Sequence, residues 1–378
     1  MSNMHYYNRN MTRIIALTAA LLILTSCDDV TSEKTLCPAE KIEKLADIPY
    51  SSEYSVCNLQ KMHIDGDKLI VCSNIGLYAI DLNAPSIAEP YGFDGVPVAD
   101  FVKSGTTILA RRGCIIVNES IEDKLPYAYI SHDNGKTYKE FYPEKMHHDK
   151  YGDCWSFIDA MVQNPRNDKE ILVLNWYGLW KSTDFGATWT HLTEHWAGNT
   201  VACFMEYFPH DTETFMFHGE SWILEDALYI TRDSGKSWQS IHGVFHGDNC
   251  IHQMAFHPTD PNVWVYGGEG CIGMTKDKGH TFNIVWDVWS DEENCAYFYN
   301  ILFDQSNPDI IFASGEIGRL MRVVASYNRG KSWKKVAEIP IEQNQRTNKS
   351  IDMIQTDSHL YLMTSDSKVY RILKKDLR

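Results

Sequence analysis

The sequence contains no spacing of cysteines and histidines that would form a zinc site, and no glycine-rich nucleotide loop. Its ten cysteines include no C-x-x-C pair, which is the usual unit of a structural zinc site. Basic residues are also in deficit, with 35 Lys and Arg against 50 Asp and Glu and a formal net charge of −15. Nucleic-acid binding needs a basic surface, so this balance argues against it. We expect no metal, no cofactor and no nucleic-acid partner.

Long apolar runs are missing beyond the N-terminus, so no membrane-spanning helix is predicted in the body of the chain. At the N-terminus, Arg13 precedes an apolar run from Ile14 to Leu24, which is typical of an export signal. The Leu-Thr-Ser-Cys that follows resembles a lipobox, in which the signal is cut before a cysteine that then carries lipid. The resemblance predicts a signal peptide at 1–26 and lipidation of Cys27. An ordinary secretory signal is the alternative.

Two acidic residues, Asp28 and Asp29, follow this cysteine directly. They resemble the tether of surface-exported lipoproteins in Bacteroidota-type bacteria. We therefore expect residues 27–40 to tether the protein to the bacterial outer membrane, on its periplasmic or its outer face. The lipid anchor would be the only membrane attachment.

The cysteines beyond the lipobox number nine, so they cannot all pair within the chain. Most are expected to be buried thiols in apolar strands, with one or two disulfides among them. The first pair to test is Cys250 with Cys271, because both are expected in neighbouring loops of one structural unit.

One turn sequence occurs five times at nearly constant spacing. The copies are SHDNGKTY, STDFGATW, TRDSGKSW, TKDKGHTF and SYNRGKSW, which begin at Ser131, Ser182, Thr231, Thr275 and Ser326. The intervals between their first residues are 51, 49, 44 and 51. A period near fifty residues indicates stacked supersecondary units. The chain is therefore predicted to be an array of similar units.

The common pattern, Ser/Thr-x-Asp-x-Gly-x-Ser/Thr-aromatic, is typical of a β-hairpin tip. An aspartate carboxylate accepts hydrogen bonds from the backbone N–H groups of the next few residues. Glycine supplies the positive φ that such a tight turn requires. The hydroxyl can bond to the aspartate or to the turn backbone, and the aromatic residue begins the returning strand. The pattern predicts structure at these residues and not chemistry.

This pattern resembles the Asp-box, and its five copies make the chain similar to the Asp-box (BNR-repeat) β-propeller superfamily. Sialidases, sortilin-type receptors and photosystem II assembly factors share these boxes. The resemblance implies an all-β fold of four-stranded antiparallel blades, with the boxes on outer hairpins, away from the face that binds ligands. Sialidases also have an Arg-Ile-Pro segment near their start, which this sequence lacks. No catalytic residue of the sialidases is therefore carried over.

The repeat length predicts seven blades. Two segments without a box, 62–82 and 351–373, alternate as strands do and fit the spacing. The sequence KLADIP at 44–49 resembles KVAEIP at 335–340, the outer strand after the fifth box. We predict one seven-bladed propeller at 41–378, in which an N-terminal strand at about 41–49 completes the last blade. The blades are expected near 54–92, 97–143, 155–193, 200–242, 250–286, 297–340 and 350–376.

A glutamate follows a glycine at the end of the second strand in three adjacent blades. These residues are Glu220, Glu269 and Glu316. They are expected on one side of the ligand funnel, at separations that suit the carboxylate pair of a glycoside hydrolase. Crowding of like charges would raise the pKa of at least one of them, as a general acid requires. The alternative is a turn feature inherited with the repeat, in which each glutamate pairs with Lys or Arg.

Aromatic and imidazole side chains are frequent in the loops near this funnel. Flat apolar rings beside hydrogen-bonding groups suit sugars, and we select Trp155, Trp176, His252 and Tyr299 as candidates for substrate binding. Histidine could also serve as a lyase base, since it is the usual proton carrier near neutral pH. Each of these residues could instead pack between blades.

Arginine is the third candidate group. Arg111, Arg112, Arg319 and Arg322 are expected at turns between second and third strands. A guanidinium there could hold the carboxylate of a uronate or sialate through two parallel hydrogen bonds. We assign Arg319 to substrate binding.

Two functions remain open at this stage. In the first, a monomeric, lipid-anchored propeller binds and cleaves a glycan as a glycoside hydrolase or a polysaccharide lyase. In the second, the same face holds an envelope protein, as in the photosystem II assembly factors and sortilin-type receptors that share the boxes. The direction of the three glutamates, into a pocket or toward arginines, would discriminate between the two.

Overall fold

The structure is a computed structural model that describes residues 36–51, 55–56, 61–85, 87–112, 115–117, 120–121, 128–141, 158–175, 178–193, 200–221, 227–242, 251–287, 297–342 and 352–377. These residues fall within one compact unit, Thr35–Arg378. Two short 3-10 helices occur in the described part, at Ala39–Lys41 and Lys374–Leu377. No helix in these ranges is long and apolar enough to cross a membrane.

Strands make up most of the described chain. In the N-terminal half they are β1 Ile42–Asp47, β2 Ser55–Val56, β3 Met62–Asp65, β4 Lys68–Ser73, β5 Gly76–Asp81, β6 Glu89–Gly92, β7 Asp100–Ser104, β8 Thr107–Arg111, β9 Ile115–Val117, β10 Ser120–Ile121, β11 Ala128–Ser131, β12 Lys139–Phe141, β13 Ile158–Asn164, β14 Asn167–Asn175, β15 Gly178–Ser182 and β16 Thr190–Thr193. In the C-terminal half they are β17 Thr200–Tyr207, β18 Phe215–Ser221, β19 Ala227–Thr231, β20 Gln239–His242, β21 Ile251–Phe256, β22 Trp264–Gly268, β23 Cys271–Thr275, β24 Asn283–Asp287, β25 Tyr297–Phe303, β26 Ile311–Ile317, β27 Leu320–Ser326, β28 Lys334–Pro340, β29 Asp352–Gln355, β30 His359–Met363 and β31 Lys368–Leu373.

These strands form seven four-stranded antiparallel sheets, which are the blades of a β-propeller. From inner to outer strand, blades one to three are β3-β4-β5-β6, β7-β8-β11-β12 and β13-β14-β15-β16. Blades four to six are β17-β18-β19-β20, β21-β22-β23-β24 and β25-β26-β27-β28, and blade seven is β29-β30-β31-β1. The predicted number of blades and their four-stranded form are confirmed.

The N-terminal strand closes the ring, as the KLADIP similarity predicts. β1 pairs antiparallel with β31, from Ile42 opposite Ile372 to Asp47 opposite Lys368. Glu43 accepts hydrogen bonds from Arg371 at 2.6 and 3.0 Å. On its apolar side, β1 buries Leu45 in a cluster that contains side chains of both blade seven and blade one. β1 therefore covers the edge of β31 and gives blade seven the same four strands as the other blades.

The segment before β1 also packs on the propeller. The Cys37 N–H donates to the carbonyl oxygen of Val336 in β28 at 2.8 Å. Its side chain is buried in the cluster between blades six and seven. Cys37, Cys72 and Cys271 are free buried thiols, so the pairing of Cys271 with Cys250 is wrong. Burial in an apolar strand raises the Cys271 pKa to about 11, so this thiol stays protonated and unreactive.

The five box turns have the hydrogen bonds that the pattern predicts. In the first, Thr137 N–H donates to Asp133 Oδ1 at 2.8 Å, and Gly135 N–H donates to Ser131 Oγ at 2.7 Å. The backbone N–H of Thr137, and then hydroxyl hydrogen bonds, lower the pKa of Asp133 to about 2. The residue before the glycine also has positive φ, at 59° for Asn134. This additional left-handed residue was not predicted.

Register shifts distinguish blades three to six from the others. Each of their inner strands contains one extra residue opposite its neighbour, and these residues are Asp159, Cys203, His252 and Tyr299. The inner strands of blades one, two and seven pair without such a shift. A bulge of this kind redirects side chains and is frequent beside functional sites.

A small eighth sheet is an addition that the sequence did not predict. β9 and β10 lie between the second and third strands of blade two, and β9 pairs with β2 ahead of blade one, in the order β10-β9-β2. The connection from β8 to β11 and the segment that leads into β3 lie on the same face of the propeller, the one on which inner strands begin. The small sheet therefore joins blades one and two on that face.

Candidate functional site

The two faces of the ring differ in their loops. Inner strands begin, and second strands turn into third strands, on one face, which we call the site face. The box turns lie on the opposite face, beside the turns that leave the inner strands. In the fourth blade, for example, Ser234 N–H of the box donates to the carbonyl oxygen of Glu213 at 2.8 Å. The boxes are therefore remote from the site face, as the resemblance implies.

Two of the predicted glutamates flank one residue on the site face. Tyr297, the first residue of β25, pairs with Glu316 inside blade six and forms an isolated bridge with Glu269 of blade five. Directly opposed residues point to the same side of a sheet. Two strand spacings put the Cα atoms of the glutamates about 10 Å apart. Both carboxylates can therefore approach one ligand beside Tyr297.

Aromatic and imidazole rings complete this cluster. Tyr297 is 49% exposed and stacks on Tyr299 with ring centroids 6.3 Å apart. The His252 ring lies 4.7 Å from that of Tyr299. His252 Nε2 is 3.8 Å from Glu269 Oε1. We call Glu269, Glu316, His252, Tyr297 and Tyr299 the rim cluster.

The phenol of Tyr299 stays protonated in this setting. Burial raises its pKa, and the negative charges of Glu316 and Glu269 raise it further. A protonated phenol can donate a hydrogen bond to a carboxylate or to a ligand oxygen.

Local chain geometry explains the positions of these side chains. His252 and Tyr299 are the extra residues at the bulges of blades five and six. A glycine directly precedes each glutamate, and at Gly267, two residues before Glu269, a side chain would meet the backbone oxygen of Phe298 at 3.0 Å. Blades five and six are therefore closely apposed beside the rim cluster. This packing explains the glycine at 267, which is not the glycine repeated before the glutamates.

Other predicted site residues cannot be assigned in the same way. Glu220 lies in β18, paired with Val201, but its side chain is outside the described part. Trp155, Trp176 and Cys27 lie outside the described residues, and these remain predictions. Tyr297 was not selected from the sequence, although it is the exposed ring of the cluster and shares an alternating strand with Tyr299.

Arginine does not have the predicted role at three of its four positions. Arg111, Arg112 and Arg322 are 5%, 1% and 5% exposed, so they are not available to a ligand. Arg322 binds Glu338, with Nη2 2.6 Å from Oε1. Arg319 lies at the two-residue turn between β26 and β27 and is exposed. It is the arginine of this group that a ligand could reach.

A second polar group lines the central channel across from the rim cluster. His63 and Asp100 are joined at 2.7 Å, and Lys61 lies 3.6 Å from Asp352. Burial opposes ionisation of Asp100, but the His63 hydrogen bond and nearby positive charges hold its pKa below the usual value. In the described part of the chain, no three His, Cys, Asp or Glu side chains are arranged to hold a metal ion.

Comparison with known proteins gives the family context of this geometry. The Sortilin-Vps10 family (sortilin, neurotensin receptor 3) matches residues 177–283. That range includes three of the five boxes, those beginning at Ser182, Thr231 and Thr275. The chain is an Asp-box β-propeller.

The propeller is similar to xyloglucanases in sequence and in structure. It is 24% identical to xyloglucanase Xgh74A of Acetivibrio thermocellus over 245 residues, which are 55% of this chain and 28% of that protein. The solved GH74 xyloglucanase of Xanthomonas campestris superposes with a TM-score of 0.61 at 14% identity, over 89% of this chain and 54% of that chain. The propeller thus spans about half or less of the length of these relatives.

The propeller is also similar to YCF48. The structure of YCF48 from Cyanidioschyzon merolae has a TM-score of 0.56 at 11% identity, over 89% of this chain and 99% of that chain. A second YCF48 structure, bound to D1 peptide, gives 0.56 at 12% identity over 87% and 98%. At such identities the structural similarity concerns the fold alone.

Proposed function

We propose that this propeller binds a glycan at the rim cluster and hydrolyses it with Glu269 and Glu316. The observation that carries the proposal is the placement of both glutamates beside the exposed ring of Tyr297. An exposed aromatic ring offers a sugar a stacking surface. The two carboxylates then lie on either side of the stacked ring, where a glycosidic bond could be placed between them.

The chemistry follows from the two carboxyl groups. One of them, protonated, donates its proton to the glycosidic oxygen as the bond to the anomeric carbon breaks. The other, ionised, either activates a water molecule or attacks the anomeric carbon. Cα atoms about 10 Å apart allow carboxyl separations that suit either route, depending on the side-chain rotamers. His252, 3.8 Å from Glu269, is placed to orient that carboxyl group.

The charges around the rim cluster favour a neutral glycan. Two carboxylates would repel a uronate or sialate. Three of the four candidate arginines, Arg111, Arg112 and Arg322, are buried, which leaves the single positive charge of the exposed Arg319 against two negative charges. The sequence similarity to a xyloglucanase supports the same substrate class. Elimination by a lyase needs a uronate, so hydrolysis is the preferred reaction.

Oligosaccharide release from neutral polysaccharides tests this function. The chain without residues 1–27 is incubated with xyloglucan and with other neutral β-glucans, and with polygalacturonate as the acidic comparison. Glu269→Gln and Glu316→Gln are each expected to lower kcat by about 10²–10⁴-fold, since each removes a proton-transfer group. Tyr297→Ala is expected to weaken binding about tenfold by removing the stacking surface.

Glu89→Gln is the matched control. Glu89 is an exposed glutamate on the outer strand of blade one, and its substitution should leave activity unchanged. Release of product by both glutamine variants at the wild-type rate would contradict the hydrolase proposal. If the protein binds a glycan without hydrolysing it, and Tyr297→Ala loses this binding, the function is glycan recognition and not hydrolysis.

Capture of a protein segment is the second candidate function. The observation that favours it is the extent of the structural match, which covers 98% of a YCF48 chain that was solved with D1 peptide bound. A stoichiometric partner recovered from envelope extract by the wild-type protein, and lost in Tyr297→Ala, would favour this function. Failure of every neutral glycan to bind would be expected in that case.

We also propose that the protein is a lipoprotein anchored through Cys27. The support is the sequence, in which the apolar segment and the Leu-Thr-Ser-Cys motif precede this residue. Intact mass measurement of the mature protein tests it. We expect the mass of a chain that starts at Cys27 and carries added acyl groups. Cys27→Ala should give a product without acyl groups.

A further inference from the structure

The bulges of blades three to six each place one residue at the equivalent position of its own inner strand. In each blade the extra residue lies five positions before the residue at which the inner strand passes into the turn that follows it. These reference residues are Asn164, Phe208, His257 and Asp304. The four extra residues, Asp159, Cys203, His252 and Tyr299, are therefore structurally equivalent. They follow one another along an arc of four adjacent blades.

In two of these blades, the extra residue meets the end of the second strand. His252 Nε2 lies 3.8 Å from Glu269 Oε1. Tyr299 stacks on Tyr297 with ring centroids 6.3 Å apart, and Tyr297 lies opposite Glu316 near the end of β26. A bulge at this position therefore directs a side chain toward the site face, beside the residue at the strand end.

We infer that the candidate site continues around the arc to blade three, where Asp159 is a further ligand-binding residue. Asp159 has the same bulged position as His252 and is partly exposed. The inference rests on the proposed function and extends it from a single rim cluster to a longer binding surface. Its carboxylate would accept hydrogen bonds from sugar hydroxyl groups, as suits a neutral sugar.

The distance along the arc defines the class of ligand. Blade six and blade three are three blade intervals apart. Sheets pack about 10 Å apart but converge at their inner strands, and the arc is curved, so the direct span is on the order of 20 Å. A single sugar cannot reach from Tyr299 to Asp159. The ligand is therefore an oligosaccharide or a polysaccharide segment of several units, which crosses the mouth of the channel with one part at blade three and another at blade six.

A series of neutral oligosaccharides of increasing length tests this inference by isothermal titration calorimetry, in which every protein, including the wild-type reference, also carries Glu316→Gln so that the ligand is not hydrolysed. Wild-type affinity is expected to rise with length until the arc is filled. Asp159→Ala should weaken binding of the longest member about five- to tenfold and leave the Kd of the shortest unchanged. Asp159→Asn, which keeps a hydrogen-bond acceptor, should retain most of the affinity. Tyr297→Ala should weaken binding at every length.

Glu213→Ala, which removes an exposed carboxylate on the box face, is the control for loss of charge. Thermal unfolding of each variant identifies losses that come from misfolding. Equal weakening at all lengths by Asp159→Ala, or no weakening of the longest, overturns the inference while leaving the rim cluster intact. Absence of binding by the wild type at every length contradicts the proposed function itself, and with it this extension.

Discussion

Glu206 faces the central channel from the inner strand of blade four, and its charge depends on that position. Burial raises its pKa to about 7, with Lys61 opposing the shift and Asp100 adding to it. Asp100 begins the inner strand of blade two, and Lys61 directly precedes that of blade one, so both charges act from other blades. The side chain keeps partial exposure, which means that channel water moderates the cost of ionisation.

The raised pKa of Glu206 predicts a pH dependence of stability. An acid with a folded-state pKa near 7 and an unfolded value near 4.5 favours the folded state at low pH. This contribution is lost as the pH rises through about 7. Its size should be on the order of 2 kcal/mol, less than the full shift implies because water reaches the group.

Urea unfolding between pH 4.5 and 8 measures this contribution. Glu206→Gln should remove that part of the pH dependence and make the protein more stable above pH 7. Glu89→Gln, an exposed glutamate on an outer strand, should leave the profile unchanged. A wild-type profile that is flat across this range, or identical in Glu206→Gln, would contradict the assignment.

At the scale of single residues, the sequence identified part of the site and not the rest. Glu269, Glu316, His252 and Tyr299 could be selected because the repeat aligned their positions, and the structure brings them together. The predicted role in ligand binding was wrong for Arg111, Arg112 and Arg322, which are buried. The sequence alone does not show this burial, or that Arg322 is paired with Glu338. Burial and pairing depend on long-range contacts.

At the scale of secondary-structure elements, polar side chains join adjacent inner strands. Gln253 Oε1 of blade five accepts a hydrogen bond from Ile301 N–H of blade six at 2.7 Å. Asp352 of blade seven accepts one from Met62 N–H of blade one, also at 2.7 Å. These bonds satisfy backbone groups on the channel side of the inner strands, which have no further strand to pair with.

Removing the Gln253 bond is expected to destabilise the fold. Gln253→Leu leaves the Ile301 N–H without its acceptor in a buried position, at a cost of about 1–3 kcal/mol in the free energy of unfolding. The midpoint of urea unfolding measures it. Gln239→Leu, on the exposed outer strand of blade four, is the control and should change stability by less than about 0.5 kcal/mol. Equal effects of the two variants would show that the bond has no special role.

The elements were predictable to different extents. The box turns are local, since Asp133 bonds within four residues of itself. Their spacing predicts seven blades, and the similarity of 44–49 to 335–340 predicts the closing strand. The bulge at Tyr299 and the pairing of β2 with β9 were not predicted. A register shift of one residue has no signal of its own in an alternating sequence. Strands of two or three residues pair only because the surrounding fold brings them together.

At the scale of the whole molecule, the ring is held closed by the contacts of β1. Leu45 is 5% exposed and packs among residues of blades seven and one. Leu45→Ala removes apolar contacts on both sides of the junction and should lower the free energy of unfolding by about 2–5 kcal/mol. Lys44→Ala, at the neighbouring exposed position, should have little effect.

Limited proteolysis distinguishes loss of closure from general loss of stability. If the junction opens first, Leu45→Ala should be cut in the N-terminal strand at a denaturant concentration where the remaining blades still resist. Simultaneous cleavage throughout the chain would instead indicate that the seven blades unfold together, and that β1 has no separate role.

The position of β1 in blade seven has a consequence for biosynthesis. Glu43 and its partner Arg371 are 328 residues apart in sequence, and a ribosome or export channel releases the chain from its N-terminus. Leu45 therefore lacks its blade-seven partners until the C-terminal strands have emerged, and the ring can close only after synthesis is complete. Contacts so distant in sequence form slowly. Until then β1 has no strand of its own sheet with which to pair.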